Sequence, residues 1–150
     1  MAPRLDAMTP ANPLPRMSAA ILVDVDGTLV GPYLHGRREL RASAARALEM
    51  LSEVAPVFLW SIVGPENGTR LLEEFPHLRR YISGCYGKQE FPLASVDRPY
   101  AIDDESVDDR VMCCRHYLLD TSYCGGSEGD DLLRAAMEVV ADMRGIPELH

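Results

Sequence analysis

Residues 19–30 of this chain read AAILVDVDGTLV. The apolar residues 21–23 lead directly into the carboxylates of Asp24 and Asp26, and Gly27 follows them. An uninterrupted apolar run is typical of a strand covered on both faces, as in a parallel sheet with flanking helices. In open sheets of that kind the ligand lies at the carboxyl ends of the strands. The stretch therefore predicts that any chemistry takes place where this strand ends.

The two carboxylates also predict a metal ion. Asp24 and Asp26 would repel one another unless a cation or a proton relieves them. Mg²⁺ suits such hard oxygen ligands, because it typically takes one or two carboxylates and leaves its other positions to water and substrate phosphate. A DxD triplet alone also fits a plain turn with two solvated aspartates, so the rest of the chain has to decide.

Three later stretches bring polar residues to strand ends in the same way. The run 57–60 ends in Ser61, and the run 100–102 ends in Asp103 and Asp104. The segment 81–86, which fits a short strand or a turn, precedes Lys88. Helical periodicity over 38–54 and 66–75 predicts crossover helices, which connect parallel strands with a right hand. We therefore expect these side chains beside Asp24 at one edge of the sheet. Ser61 fits both a helix cap and a phosphate contact, and the two roles are compatible.

Lys88 stands out because the chain otherwise uses arginine. Of the 15 basic residues, Lys88 is the only lysine. A lysine offers a compact point charge that reaches a phosphate oxygen without a bidentate fork. Its presence here indicates a specific demand, although chance is an alternative explanation.

The motifs resemble those of the haloacid dehalogenase (HAD) superfamily. DVDGTLV resembles its first motif, VFLWS its second, Lys88 its third and IDD its fourth, in the family's order. The resemblance implies that Asp24 is the nucleophile that becomes an aspartyl-phosphate and that Asp26 is the general acid and base. It further implies that Ser61 and Lys88 hold the phosphoryl oxygens.

The same resemblance implies Mg²⁺ as cofactor and a Mg²⁺-dependent phosphatase as function. The Mg²⁺ ligands would be Asp24, the backbone carbonyl of Asp26, and Asp104 with or without Asp103. Asp103 and Asp104 are not distinguished as direct ligands. Larger members carry a cap domain after the first motif or between the second and third, and neither gap here can hold one. An open site favours a bulky or macromolecular phosphoester, or a partner that closes the site.

We expect an α/β fold with a doubly wound, mainly parallel sheet and helices on both faces. Residues 1–18 contain four prolines and no apolar or helical pattern, which predicts a flexible arm before a single domain over 19–150. A last strand over 115–119 and a last helix over 131–144 complete the domain. The loop over 31–37, with Tyr33 and His35, either leans over the site or only connects elements. The loop over 121–129 has no assigned role.

Composition limits the partners. The net charge of −8 disfavours nucleic acid and anionic membranes, which are held by many basic contacts. No apolar run approaches the length of a membrane span. Four cysteines without a CxxC pair favour buried free thiols over a disulfide framework or a zinc site. We therefore expect a cytoplasmic protein.

Two alternative functions remain open at this point. One is a catalytically silent HAD-like binding or regulatory module, which the presence of Asp26 disfavours. The other is removal of phosphate from a nucleic-acid end, which the acidic charge disfavours. A response-regulator receiver has similar residues, but there the acidic pair comes first and the lysine last, so the order of motifs here rejects it.

Overall fold

The computed structural model describes residues 14–104, 114–119, 123 and 131–145. Within them the strands are β1 (Met17–Asp24), β2 (Val57–Ser61), β3 (Gly84–Gly87), β4 (Val96–Asp103) and β5 (Arg115–Leu118). They form one sheet in the order β3-β2-β1-β4-β5, and every neighbouring pair is parallel. The chain adds β2 and β3 on one side of β1 and then β4 and β5 on the other. This is the doubly wound, Rossmann-like α/β fold that the sequence predicts.

The helices in the described segments are α1 (Ala44–Ser52), α2 (Pro65–Glu74) and α3 (Asp131–Met143). Two short 3-10 helices, Pro76–Tyr81 and Leu93–Ser95, lie before β3 and β4. The helix predicted over 66–75 is α2, and the helix predicted over 131–144 is α3. Both predictions are confirmed to within one residue at each end. Each α-helix buries one apolar stripe, which in α1 consists of Ala44, Ala47, Leu48 and Leu51.

The sheet is buried on both faces. Alternate strand residues such as Ile21 and Leu59 join a core cluster that also contains the apolar stripes of all three α-helices. Their neighbours, such as Leu22 and Trp60, join a second cluster on the opposite face, where Phe91 and the segment with the 3-10 helix Leu93–Ser95 cover the sheet. Burial on both faces explains the uninterrupted apolar runs, because each successive side chain meets a different core.

Helix α1 is shorter than predicted, because it begins at Ala44 and not at Arg38. The backbone before it is engaged elsewhere. Arg41 N–H donates to the carbonyl of Leu29 at 2.8 Å, and Leu40 forms an isolated bridge with Val30. These bonds hold residues 38–41 against the loop that follows β1, so tertiary contacts override the helical periodicity of that segment.

Strand β4 is longer than predicted and contains Pro99. Proline cannot donate to a sheet ladder and is expected at a sheet edge. In the described part of the chain β5 pairs with β4 only from Tyr100 onward. Pro99 therefore lies where β4 has one described neighbour, β1. This one-sided pairing accommodates a residue that has no backbone N–H donor.

The start of the domain also differs from the prediction. Strand β1 begins at Met17, and Leu14 is buried in the second core cluster. The folded part therefore begins before residue 19, and the rest of the predicted arm lies outside the described residues. The connections over 25–43 and 62–83 hold turns, isolated bridges and helices that pack on the sheet, so neither contains a cap domain. Among the described residues, no helix has the length and apolar character that crossing a membrane requires.

Candidate active site

The carboxyl ends of four strands bring the predicted residues together. Asp24 ends β1, Ser61 ends β2 and Asp103 ends β4, while Lys88 directly follows β3. The register aligns these ends, because Asp24 pairs with Trp60 and Ser61 pairs with Gly87. Side chains that are far apart along the chain therefore meet at one edge of the sheet, as the sequence predicts.

Three carboxylates form the centre of the site. Oxygen atoms of Asp24, Asp103 and Asp104 all lie within 4.8 Å of one another. Asp24 and Asp103 are buried, and Asp104 is half-buried. This group offers the hard oxygen ligands that Mg²⁺ prefers. Its donor chemistry fits a divalent cation at the predicted position.

Lys88 lies between two of these carboxylates. Its Nζ is 3.3 Å from Asp24 Oδ1 and 2.5 Å from Asp103 Oδ2. It also lies 5.7 Å from the centre of the Trp60 ring, within the range of a cation–π contact. Burial lowers the pKa of Lys88, but the charges of Asp24 and Asp103 outweigh it, so the net pKa lies above the ordinary value. The side chain therefore stays a cation.

The surroundings of Asp24 carry more negative than positive charge, and this affects the pKa of its carboxyl group. Burial is the largest cause that raises its pKa well above the ordinary value, and the neighbouring charge of Asp103 adds to it. Lys88 opposes this rise without cancelling it. Taken by themselves, these three carboxylates and Lys88 carry an excess of two negative charges when all are ionised. A divalent cation would balance that excess.

Asp24 is also held by a neighbour from its own loop. Thr28 Oγ1 donates a hydrogen bond to Asp24 Oδ2 at 3.2 Å, and the Thr28 side chain is fully buried. With Lys88 near Oδ1, the carboxylate has a donor on each oxygen. These two contacts fix the orientation of the Asp24 carboxylate at the carboxyl end of β1.

Ser61 does not cap α2, because the residue at the N-cap position is Gly64. Its Oγ accepts hydrogen bonds from Asn67 Nδ2 at 3.0 Å and from the Val63 N–H at 3.3 Å. A hydroxyl oxygen that accepts two hydrogen bonds still has its own hydrogen to donate. The geometry is compatible with the predicted contact to a phosphoryl oxygen.

Asp26 is separate from the three-carboxylate group. Its side chain is 61% exposed. Asn67 Nδ2 donates to Asp26 Oδ2 at 2.8 Å, and Arg38 Nη1 donates to Asp26 Oδ1 at 3.4 Å. The carboxyl group is therefore largely open to solvent, and it shares both donors with other side chains, because Arg38 also binds Glu74 and Asn67 also binds Ser61. The predicted contact of its backbone carbonyl with Mg²⁺ stays a prediction.

Two glycines allow the turn after β2 to approach the end of β3 closely. A Cβ atom on Gly87 would lie 3.3 Å from the Cα of Gly64, which is a tight contact between backbones. Gly64 itself has φ +119° and ψ 174°, a conformation that is almost restricted to glycine. The close approach accompanies a hydrogen bond of 2.9 Å from the Lys88 N–H to the carbonyl of Ser61. Backbone geometry thus fixes Lys88 relative to Ser61.

The loop over 31–37 contacts the site through Tyr33. Its ring lies 4.9 Å from the guanidinium carbon of Arg38, and its hydroxyl accepts a hydrogen bond of 3.4 Å from Arg70 Nη1. His35 has a positive φ of 55° and is exposed. Tyr33 therefore stands next to a partner of Asp26, and His35 belongs to the turn.

One described residue of the loop over 121–129 also touches the first motif. The Tyr123 N–H donates to the carbonyl of Gly27 at 2.7 Å, and the Tyr123 ring lies 4.7 Å from the guanidinium of Arg41. Arg41 Nε donates to the carbonyl of Thr28 at 2.8 Å. Arg41 and Tyr123 together stabilise the backbone around Gly27 and Thr28. The rest of that loop lies outside the described residues.

Sequence reasoning missed four residues that shape the site: Thr28, Arg38, Arg41 and Asn67. Thr28 is part of the DGT stretch, so its closeness to Asp24 in the sequence could have indicated that it contacts the site. The two arginines looked like the polar side of a helix, and Asn67 looked like an ordinary residue of α2. Their burial depends on contacts with distant segments, which local patterns do not contain.

No protein-family model matches this chain, and no curated protein matches its sequence. The likeness to the HAD superfamily therefore depends on the four short motifs and on the order in which they occur.

Proposed function

We propose that this protein is a Mg²⁺-dependent phosphomonoester hydrolase of HAD type, without a cap domain, that works through an aspartyl-phosphate on Asp24. One observation carries the proposal. The carboxylate of Asp24 lies among Lys88, Asp103 and Asp104 at the carboxyl edge of a parallel sheet, in the order of motifs that the family uses. A nucleophile, a cation for phosphate and a metal-ligand set thus occur in one place.

Mg²⁺ would be held by Asp24, Asp103 and Asp104, with the backbone carbonyl of Asp26 as a further ligand. The excess of carboxylates over lysine supports a resident divalent cation. When bound, Mg²⁺ would supply positive charge that neutralises the transferring phosphoryl group, which is the main requirement of phosphoryl transfer.

In the first half-reaction Asp24 attacks phosphorus. A bond forms between a carboxylate oxygen of Asp24 and phosphorus, while the bond from phosphorus to the leaving oxygen breaks. Lys88 and the Ser61 hydroxyl bind phosphoryl oxygens during this step. Asp26 donates a proton to the leaving oxygen, so the product alcohol departs neutral.

In the second half-reaction water replaces Asp24. Asp26, now a carboxylate, accepts a proton from water as the water oxygen bonds to phosphorus. The bond between Asp24 and phosphorus breaks, and inorganic phosphate is released. Exposure of the Asp26 side chain supports both roles, because the leaving group and water approach from solvent.

The substrate is a phosphorylated molecule, and an open site favours a bulky one. The connections over 25–43 and 62–83 contain no second domain that would close over Asp24. Recognition beyond the phosphate would therefore use the exposed rim, which includes Ile62 and Val63 next to Ser61. These apolar side chains suit a substrate whose alcohol part is also partly apolar.

The test is hydrolysis of p-nitrophenyl phosphate with Mg²⁺ and with a chelator. We expect turnover with Mg²⁺, loss of turnover with the chelator, and loss of turnover in Asp24→Asn. Asp97→Asn is the matched control, because Asp97 is exposed and pairs with Arg16 near the other end of β4. Equal rates in wild type and Asp24→Asn would remove Asp24 from the mechanism. No turnover in any form would favour a silent binding module.

A further inference from the structure

Arg38 is a buried cation that ties the loop after β1 to helix α2. Its side chain has no exposed surface. Nε and Nη2 donate to Glu74 Oε1 at 2.9 and 2.5 Å, and Nη1 donates to Asn67 Oδ1 at 2.8 Å. A buried charge requires such partners, because it loses its hydration. Arg38 is therefore fixed in position by two residues of the same helix.

The contact with Arg38 determines which way the amide of Asn67 faces. A guanidinium group only donates hydrogen bonds, so the Asn67 atom that it meets has to be the amide oxygen. The amide nitrogen then points to the other side, where it lies 2.8 Å from Asp26 Oδ2 and 3.0 Å from Ser61 Oγ. An NH₂ group has two hydrogens, so one amide serves both partners.

The two hydrogen bonds from Asn67 go to Asp26, the proposed proton donor, and to Ser61, the proposed phosphate contact. Without a partner, an exposed carboxylate such as Asp26 would sample several side-chain conformations. The bond from Asn67 holds Asp26 Oδ2 at 2.8 Å, closer than the 3.4 Å contact between Arg38 and Oδ1, while the side chain stays 61% exposed. For Ser61, the accepted bond from Asn67 directs the hydroxyl hydrogen away from α2 and toward the site.

We propose that Asn67 is a positioning residue that orients Asp26 and Ser61 together, and that Arg38 sets the orientation of its amide. The inference rests on the proposed phosphatase function. Asn67 acts through the two side chains and does not touch the substrate. Its main effect is to keep Asp26 where the leaving oxygen needs a proton.

The test varies the leaving group. An alkyl phosphate needs a proton from Asp26 when its alcohol leaves, whereas p-nitrophenolate leaves without one. We compare kcat/KM, which reports the steps up to formation of the aspartyl-phosphate. Asn67→Asp keeps the size of the side chain and its contact with Arg38, but it replaces the NH₂ donor by an acceptor. Asn67→Ala removes the donor without adding charge.

For both variants we expect kcat/KM to fall about 100-fold with an alkyl phosphate and about tenfold or less with p-nitrophenyl phosphate. Glu73→Gln, an exposed position on the same helix, is the control and keeps both values. A general loss of folded protein would reduce kcat/KM equally for both substrates. Thermal unfolding curves of each variant measure that loss directly.

Equal losses with the two substrates would overturn the inference, as would wild-type rates in both variants. A selective loss in Asn67→Asp but not in Asn67→Ala would trace the effect to the added charge, which also overturns it. Wild-type protein without any Mg²⁺-dependent hydrolysis would overturn the proposed function itself. The two failures are thus distinguishable, because only the second is seen in the unmutated protein.

Discussion

Lys88 Nζ lies 2.5 Å from Asp103 Oδ2 and joins the ends of two strands that are not neighbours in the sheet. Strand β3, which precedes Lys88, is at one edge of the sheet, and β4 is on the other side of β1. The lysine side chain therefore spans the carboxyl end of the central strand, where it also meets Asp24 at 3.3 Å. This relationship makes Lys88 the cation on which the charge balance of the site depends.

Lys88→Arg is expected to abolish the proposed phosphatase activity although it keeps the charge. The ammonium group lies between two buried carboxylates and the Lys88 side chain is only 10% exposed, so a planar guanidinium does not fit there in the same geometry. We expect kcat/KM for p-nitrophenyl phosphate to fall at least about 100-fold. Arg79→Lys, at an exposed position, is the matched control and retains full activity. A Lys88→Arg variant with more than half of the wild-type activity would contradict the proposed role of a point charge.

Asp103 and Asp104 are expected to differ in how Mg²⁺ rescues their variants. Both belong to the three-carboxylate group that is proposed to hold Mg²⁺, but Asp103 also binds Lys88. Asp104→Asn should therefore raise the Mg²⁺ concentration for half-maximal activity about tenfold and recover when Mg²⁺ is added. Asp103→Asn should stay impaired at saturating Mg²⁺, because Lys88 has lost the nearer of its two carboxylate partners. Titration of activity with Mg²⁺ measures both, and full recovery of Asp103→Asn would refute the second role.

The position of the main site residues followed from sequence because it depends on strand ends. Asp24, Ser61 and Asp103 each end an apolar run, and parallel strands bring their carboxyl ends to one edge. This rule needs only the type and direction of the strands. The doubly wound fold and the meeting of Lys88 with Asp24 were therefore predictable before any coordinates existed.

The supporting network was not predictable for the opposite reason. Arg38 binds Glu74 across 36 positions of sequence, and Asn67 binds Asp26 across 41. Helical periodicity even assigned Arg38 to the polar side of α1, whereas the backbone there pairs with the loop after β1. Which side chain of α2 faces the site depends on how the helix packs on the sheet, and a local pattern does not contain that angle.

Gly64→Ala is expected to destabilise the protein and to disturb the site. At φ +119° and ψ 174° a residue with a Cβ atom is strained, which costs about 1 to 3 kcal/mol. Gly36→Ala is the comparison, because Gly36 has φ +78° and open space around its added Cβ. Urea unfolding should give a larger loss for Gly64→Ala, together with reduced kcat/KM because the turn carries the Val63 N–H that binds Ser61. Equal losses for the two glycines would show that the backbone at Gly64 is not special.

Cys85 is expected to make the protein less stable in alkaline solution. Burial raises the pKa of its thiol from 9.0 to about 11, and Thr69 and Arg79 only partly oppose this rise. Between these two values the unfolded chain loses the proton while the folded protein keeps it. The unfolded state then binds fewer protons, so the free energy of unfolding falls as pH rises through this range.

The expected loss from this thiol is about 1 kcal/mol by pH 10 relative to pH 8. It is measured as the difference between wild type and Cys85→Ala in urea unfolding at the two pH values. Removing the sulfur changes packing by the same amount at both pH values, because Cys85 is a neutral free thiol in the folded protein at each of them. Subtraction therefore leaves only the contribution of ionisation, and other titrating groups cancel. If Cys85→Ala loses as much stability between pH 8 and pH 10 as wild type does, the buried thiol is not the cause.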